Sequence, residues 1–208
     1  MAKNSSLSAL HNQKLAKYRQ NLIAYFLQLY PEANLEELEE VAQAFTLGTF
    51  EKKQIILSSG EHSNTVYFIC EGLVRIYYVK EEKEITTWFI KENMIFASAY
   101  SILTKDVNYS NYEALEKCTY LKIEYNVFEE FYHKYFSIAH LGRRIIEAYY
   151  GSFMKRTQDV LFLSAEERYS TFTEHNSDLI NRVPLRYVAS YLGITQETLS
   201  RLRAKTNK

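Results

Sequence analysis

The residues with most to offer chemically stand near the C-terminus, in "PLRYVASYLGITQETLSRLRAK", Pro184 to Lys205. With Leu199 as origin and a step of about 100° per residue, Glu197, Ser200, Arg201 and Ala204 share one side of a helix, with Gln196 and Arg203 at its edge. Arginine grips guanine, glutamate accepts from the cytosine amino group and glutamine pairs with adenine, so this face carries groups that read base edges in a major groove. No catalytic grouping competes with it. The histidines, His11, His62, His133, His140 and His175, are dispersed, and His62 lacks the H-x-H partner that a cupin-type metal enzyme needs. Cys70 and Cys118 form no CxxC pair and are too few for a thiolate-held iron–sulfur cluster, so both are read as buried apolar residues. No cofactor, no metal and no enzymatic activity are expected.

The elements that must position the face are written beside it. Pro184 suits the first turn of a helix, where its missing N–H costs nothing. Leu185, Val188, Ala189 and Leu192 follow at i, i+3, i+4 and i+7 as a buried stripe. Gly193 ends that helix with the positive φ that a sharp turn needs. Thr195 is a good N-cap for the next helix, in which Leu199 and Leu202 face inward. A plain helical hairpin satisfies the same spacing. Charge favours the polyanion: from Arg182 to Lys208 there are six bases (Arg182, Arg186, Arg201, Arg203, Lys205, Lys208) and one acid, Glu197. That segment carries +5 and the remaining 181 residues, with 19 bases and 24 acids, carry −5. A solvated basic terminus remains the alternative.

Upstream, "KLAKYRQNLIAYFLQLY" (14–30) predicts an amphipathic helix stopped by Pro31. A second helix starts after Asn34 as N-cap, with Leu35, Leu38, Val41, Ala42 and Phe45 on one face. From Thr46 to about Glu124 the pattern changes to short β-branched and aromatic runs, "QIILSS", "TVYFIC", "GLVRIYYV", "EITTWFI" and "CTYLKI", separated by polar turns. Together with 18 Tyr and 12 Phe, they predict a small antiparallel β-roll whose interior could hold a small ligand. A long helix over about 137–163 places Ile146, Tyr149, Phe153, Arg156, Val160 and Leu163 on one seam, which suits either a dimer interface or packing on the chain's own barrel. Ser164 and Glu167 form a capping box for a further helix, and 176–183 reads as a connector with room for one short strand. The fold class is α+β.

The 47% hydrophobic content supports a proper core. The run "LIAYFL" falls far short of the ~20 apolar residues that span a bilayer, and the first residues lack a signal-peptide pattern, so a cytoplasmic protein without a membrane partner is expected.

The segment "RVPLRYVASYLGITQETLSRLRAK", preceded by "SAEERY", closely resembles the C-terminal helix-turn-helix of the Crp/Fnr transcriptional regulators, particularly short-tailed members from Bacteroidetes-type bacteria. "SSGEHSNTVYFICEGLVRIYY" is similar to the turns and strands of that family's cyclic-nucleotide-binding-like domain, and the likeness extends from about Leu35 onward. The resemblance implies a β-roll unit (1–136), a long dimerisation helix (137–163, with Ile146, Tyr149, Phe153 and Val160) and a winged-helix-like DNA-binding unit (164–208) that ends without the usual wing. It implies a homodimer on double-stranded DNA, with RNA polymerase as a further partner. The family's Arg-Glu-Arg trio falls on Gln196, Glu197 and Arg201, with Ser200 assisting, while Arg186, Thr195, Arg203 and Lys205 would hold phosphates. The family's effector cassette falls on Phe96 and Ala97, then Asn108 and Tyr109, without the arginine that a cyclic phosphate needs; no arginine lies between Arg75 and Arg143. Cyclic-nucleotide binding is therefore not expected. A ligand sensor or protein-docking module built on the β-roll is the alternative function.

Overall fold

The computed structural model describes residues 2–206, with side chains over 9–205; Lys208 lies outside the described residues. Among the described residues, eight strands make two four-stranded antiparallel sheets. One has the order β1 (Thr46–Phe50), β8 (Cys118–Glu124), β3 (Thr65–Glu71), β6 (Ile95–Ala97); the other β2 (Ile55–Leu57), β7 (Asn111–Ala114), β4 (Val74–Lys80), β5 (Lys83–Ile90). The helices are α1 (Ala2–Leu29), α2 (Leu35–Ala44), α3 (Ala99–Thr104), α4 (Tyr125–Lys134), α5 (Phe136–Phe162), α6 (Ala165–His175), α7 (Leu185–Leu192) and α8 (Gln196–Thr206).

Strand alternation distributes the core among three clusters. Along β3, Tyr67 and Ile69 point between the sheets, where they meet Phe50, Val74, Ile76, Phe96 and Tyr112. Val66, Phe68 and Cys70 point the other way, against Tyr18, Leu22 and Phe26 of α1, Leu38 of α2, Phe128 of α4 and Ile138 and Leu141 of α5. Along β4, Val74 and Ile76 face the interior while Arg75 faces outward. On that outer side Leu73, Phe89 and Leu115 form one cluster with Tyr169, Phe172, Val188, Leu192 and Leu199 of the last three helices. The roll is thus packed between the N-terminal helices and the helix-turn-helix.

Local signals behave as their chemistry demands. Asn34 accepts from Glu36 N at 2.9 Å and caps α2. Ser164 and Glu167 exchange both capping-box bonds at the start of α6. Gly72, at φ +98°, turns the chain from β3 into the other sheet; a Cβ there would meet Lys117 O at 2.7 Å.

Several expectations are corrected. The N-terminal helix begins at Ala2, not near residue 14. Leu35 is exposed, because it opens α2 at the surface, and Phe45 is buried as the residue that closes it. Strands β1, β6 and β7, each of five residues or fewer, escape a pattern search that needs longer alternation. The connector holds a single 3-10 turn, Ser177–Leu179, in place of a strand, closed by Leu179 N on Asn176 O at 3.0 Å.

Candidate nucleic-acid interface

Pro184 caps α7 with extended ψ (φ −54°, ψ 135°), and Gly193 ends it at φ +67°. The Gly193 and Ile194 amides donate back to Ser190 O and Ala189 O, at 3.1 and 3.0 Å, the paired bonds of a glycine-terminated helix. Thr195 Oγ1 then accepts from Thr198 N at 3.2 Å and starts α8. Leu199 and Leu202 are buried against α6 and α7; truncating either to alanine removes about 2–5 kcal/mol. Leu185, expected in the buried stripe of α7, sits at the surface, and Tyr187 takes its place inside.

The outward face of α8 holds Gln196, Glu197, Ser200 and Arg201, all exposed. The Glu197 carboxyl lies below its ordinary pKa, held there by a backbone amide first and then by the Thr195 hydroxyl and Arg201, so it is an ionised acceptor at neutral pH. Arg201 Nη2 rests on Thr198 Oγ1 at 3.3 Å, an exposed contact that a stronger acceptor displaces. Arg186 is exposed on α7, donating to Tyr187 Oη at 2.8 Å. Arg203 is half-buried, and Lys205 forms an exposed pair with Glu166 at 3.4 Å. Four polar side chains of one helix face are therefore open to solvent together.

Arg182 does not belong to that surface. Its guanidinium reaches Glu92 at 2.7 and 3.0 Å and Glu116 at 2.7 and 2.9 Å, both on the roll, and those bonds raise its pKa. One of the six tail cations is thus neutralised by the roll. Three further contacts fasten the unit. Ser190 Oγ accepts from Thr86 N and donates to Glu84 O, each at 2.9 Å. Lys91 pairs with Asp178. Arg75, fully buried, lies 4.0 Å from the Tyr77 ring centroid and 3.6 Å from that of Tyr187, with Nη2 on Glu84 at 2.7 Å and Nε on Thr86 Oγ1 at 3.0 Å. Single-sequence reading missed Tyr187 and Ser190 because their partners are about a hundred residues away; a tyrosine inside an otherwise aliphatic stripe was the one available signal.

The cassette positions are spent on structure. Phe96 stacks on Tyr67 (5.0 Å) and Tyr112 (6.0 Å) inside the roll. Ala97 pairs with Val66 at the end of β6. Asn108 is buried and its Nδ2 donates to Ser58 O at 2.7 Å, tying two loops together. Tyr109 faces solvent against Tyr100. Burial pushes the Cys70 and Cys118 thiols up to about 12 and about 11, as fits inert core residues. Among the described residues no group of three or more His, Cys, Asp or Glu is arranged for a metal ion, and no helix is long and apolar enough to cross a membrane.

On the long helix, the seam divides. Tyr149 leans to Trp88 (6.5 Å between centroids) and Arg156 donates to Tyr191 O, so these two face the chain's own body. Ile146, Tyr150, Phe153, Met154, Val160 and Leu161 form an exposed apolar stripe beside them. The seam expected through Arg156 is therefore rotated toward Tyr150, Met154 and Leu161.

Residues 47–135 match the family model described as the cyclic nucleotide-binding domain. Over 193 residues the chain is 23% identical to the anaerobic regulatory protein of Haemophilus influenzae, covering 85% of this chain and 72% of that protein. It is 27% identical over 176 residues to the regulatory protein HlyX of Actinobacillus pleuropneumoniae, covering 76% and 70%. The fold matches the solved structure of FixK2 from Bradyrhizobium japonicum, with a TM-score of 0.70 at 18% identity over 78% of this chain and 84% of that one. A roll that matches the cyclic nucleotide-binding domain, a helix-turn-helix docked on its outer sheet and similarity to regulatory proteins across most of the chain together support a regulator of the Crp/Fnr type.

Proposed function

We propose that the chain works as a homodimer that reads a palindromic operator through α8, without control by cyclic AMP. The observation that carries this reading is the division of α8: Leu199 and Leu202 are buried while Gln196, Glu197, Ser200 and Arg201 face solvent together. Arg201 and Glu197 read base edges, and Gln196 prefers adenine where the family's arginine takes guanine. Arg186, Thr195, Arg203 and Lys205 hold phosphates, with the α8 N-terminus contributing its positive end. The units follow the elements: 1–136 carries the roll, 137–163 the pairing helix and 164–208 the reader. RNA polymerase is the partner expected of such a regulator at a promoter.

Support for pairing comes from the exposed stripe on α5, a helix about 40 Å long; Phe153 is 47% exposed and Leu161 69%, more apolar surface than a solitary helix leaves in water. Two such protomers would set their readers about 34 Å apart, one turn of DNA. Support for independence from cyclic AMP comes from Arg75. It is the one arginine of residues 47–135, and it is held on the outer sheet face under Tyr187, away from the interior.

Fluorescence anisotropy on an operator taken from sites bound in the genome tests the reader. Arg201→Ala is expected to lose about 1–3 kcal/mol and to relax specificity at one base position. Binding equal to wild type would remove α8 from the interface. A salt series separates this function from protein docking by the roll, since phosphate contacts demand a steep loss of affinity with salt.

A further inference from the structure

A cleft of about 210 Å3 lies where the C-terminal half of α5, α6, β5 and the end of α7 meet. Trp88, Phe172 and Tyr191 supply aromatic walls, and Lys155, Arg156 and Arg168 line it as cations. Its single acid is Asp159, which Lys155 approaches at 3.4 Å. Arg156 donates to Tyr191 O and lies 4.1 Å from the Tyr191 ring centroid; Arg168 donates to Leu192 O at 2.8 Å and to Leu163 O at 2.6 Å.

Two of those carbonyls end α7, and a helix C-terminus offers roughly half a negative charge. The third, Leu163 O, closes α5, so three cations against one carboxylate and two such half charges leave about +1. Arg156 carries its charge partly out of water: burial lowers its pKa and the neighbouring Arg168 adds to the effect, against Tyr191 and Asp159. Closing the ends of α7 and α5 explains both arginines but leaves Lys155, the aromatic walls and the open volume without a role. The volume is below the roughly 300 Å3 at which drug-sized pockets begin, so the occupant is small.

We propose that this cleft binds a small aromatic carboxylate, its carboxylate taken by Arg156 and Lys155 and its ring set against Trp88 and Tyr191. The site is separate from the roll interior and does not depend on the DNA-reading assignment. Because Arg156 and Arg168 hold the last carbonyls of α7, an anion that draws on those donors bears directly on the helix that leads into α8.

Trp88 is the chain's one tryptophan, so its emission reports the site. Titrating the full chain with benzoate is expected to give a saturable change, and benzyl alcohol, which keeps the ring without the charge, is expected to give none. Arg156→Gln and Lys155→Gln should each weaken the benzoate midpoint by about tenfold, the scale of one charge-assisted contact. Lys155 is exposed, so its variant keeps the test valid should Arg156→Gln fail to fold. A linear benzoate response, an equal response to benzyl alcohol, or an unchanged midpoint in the folded variants would overturn the proposal and leave the arginines as caps of α7 and α5 alone.

Discussion

Replacing Arg75 by methionine and Tyr187 by leucine, singly and together, tests the contact that seats the helix-turn-helix on the roll. Arg75 has no exposed surface and Tyr187 only 8%, so solvent screens their interaction very little. At 3.6 Å from the ring centroid, a desolvated cation–π contact is worth about 2 kcal/mol. Tyr187→Leu alone removes that stack and part of the ring's packing, for about 2–3 kcal/mol. Arg75→Met strands Glu113, whose carboxyl burial already pushes up, and Glu84, which is 45% exposed and returns to water. Its cost therefore falls near the low end of the range for a broken buried pair, about 3 kcal/mol. If the stack joins the two residues, the double variant loses about 1.5–2 kcal/mol less than the sum of the singles. Urea unfolding of the full chain, followed by Trp88 emission at one fixed protein concentration, measures all four corners of the cycle. A coupling below about 0.5 kcal/mol, the ordinary error of additivity, would refute the claim that Arg75 and Tyr187 join the two units.

Cyclic AMP and cyclic GMP are expected to leave the thermal midpoint unchanged, and clear stabilisation by either would sink the independence argued from Arg75. Phe153→Glu and Val160→Glu place charge in the exposed stripe of α5 and should shift the chain from dimer to monomer in sedimentation; a dimer that survives both locates the interface elsewhere. For pH, burial alone would raise the Glu92 carboxyl, but the Arg182 hydrogen bonds and the Gly72 amide outweigh it and leave the pKa below the ordinary 4.5. A depressed folded pKa stabilises above the ordinary value, and that contribution is lost as pH falls through the folded one. Stability should therefore drop between about pH 5 and pH 3, with a shallower slope in Glu92→Gln. The raised Glu113 works with the opposite sign, which is why the variant and not the raw slope is the measure; identical slopes in both chains would contradict the assignment.

What was legible beforehand is what neighbouring residues dictate. Gly193, Thr195, Asn34 and the Ser164–Glu167 pair act through bonds that span five residues or fewer, so their meaning is contained in a short window. The longer strands are equally local, because alternation in "TVYFIC" and "GLVRIYYV" is a property of consecutive residues. The polar face of α8 follows from a 100° step and needs no partner to be drawn.

The charges read differently once folded. Arg182 looked like one more cation in a basic tail, yet it bonds Glu92 and Glu116, which lie 90 and 66 residues away. Arg156 looked like an interruption in an apolar seam, yet it faces the Tyr191 carbonyl, and the seam is rotated to exclude it. Periodicity gives the angle of a residue on its helix, not which neighbour occupies that angle.

By itself, then, the sequence determined the last helix with its polar face, the turn and caps before it, and the longer strands of the β-roll, because each rests on backbone rules that act over a few residues. Tertiary structure decided where the helix-turn-helix sits, that Arg75 and Tyr187 lock it there, and that cations from α5 and α6 converge on the end of α7. Those outcomes depend on side chains far apart in the chain competing for the same space and charge, and only packing resolves that competition.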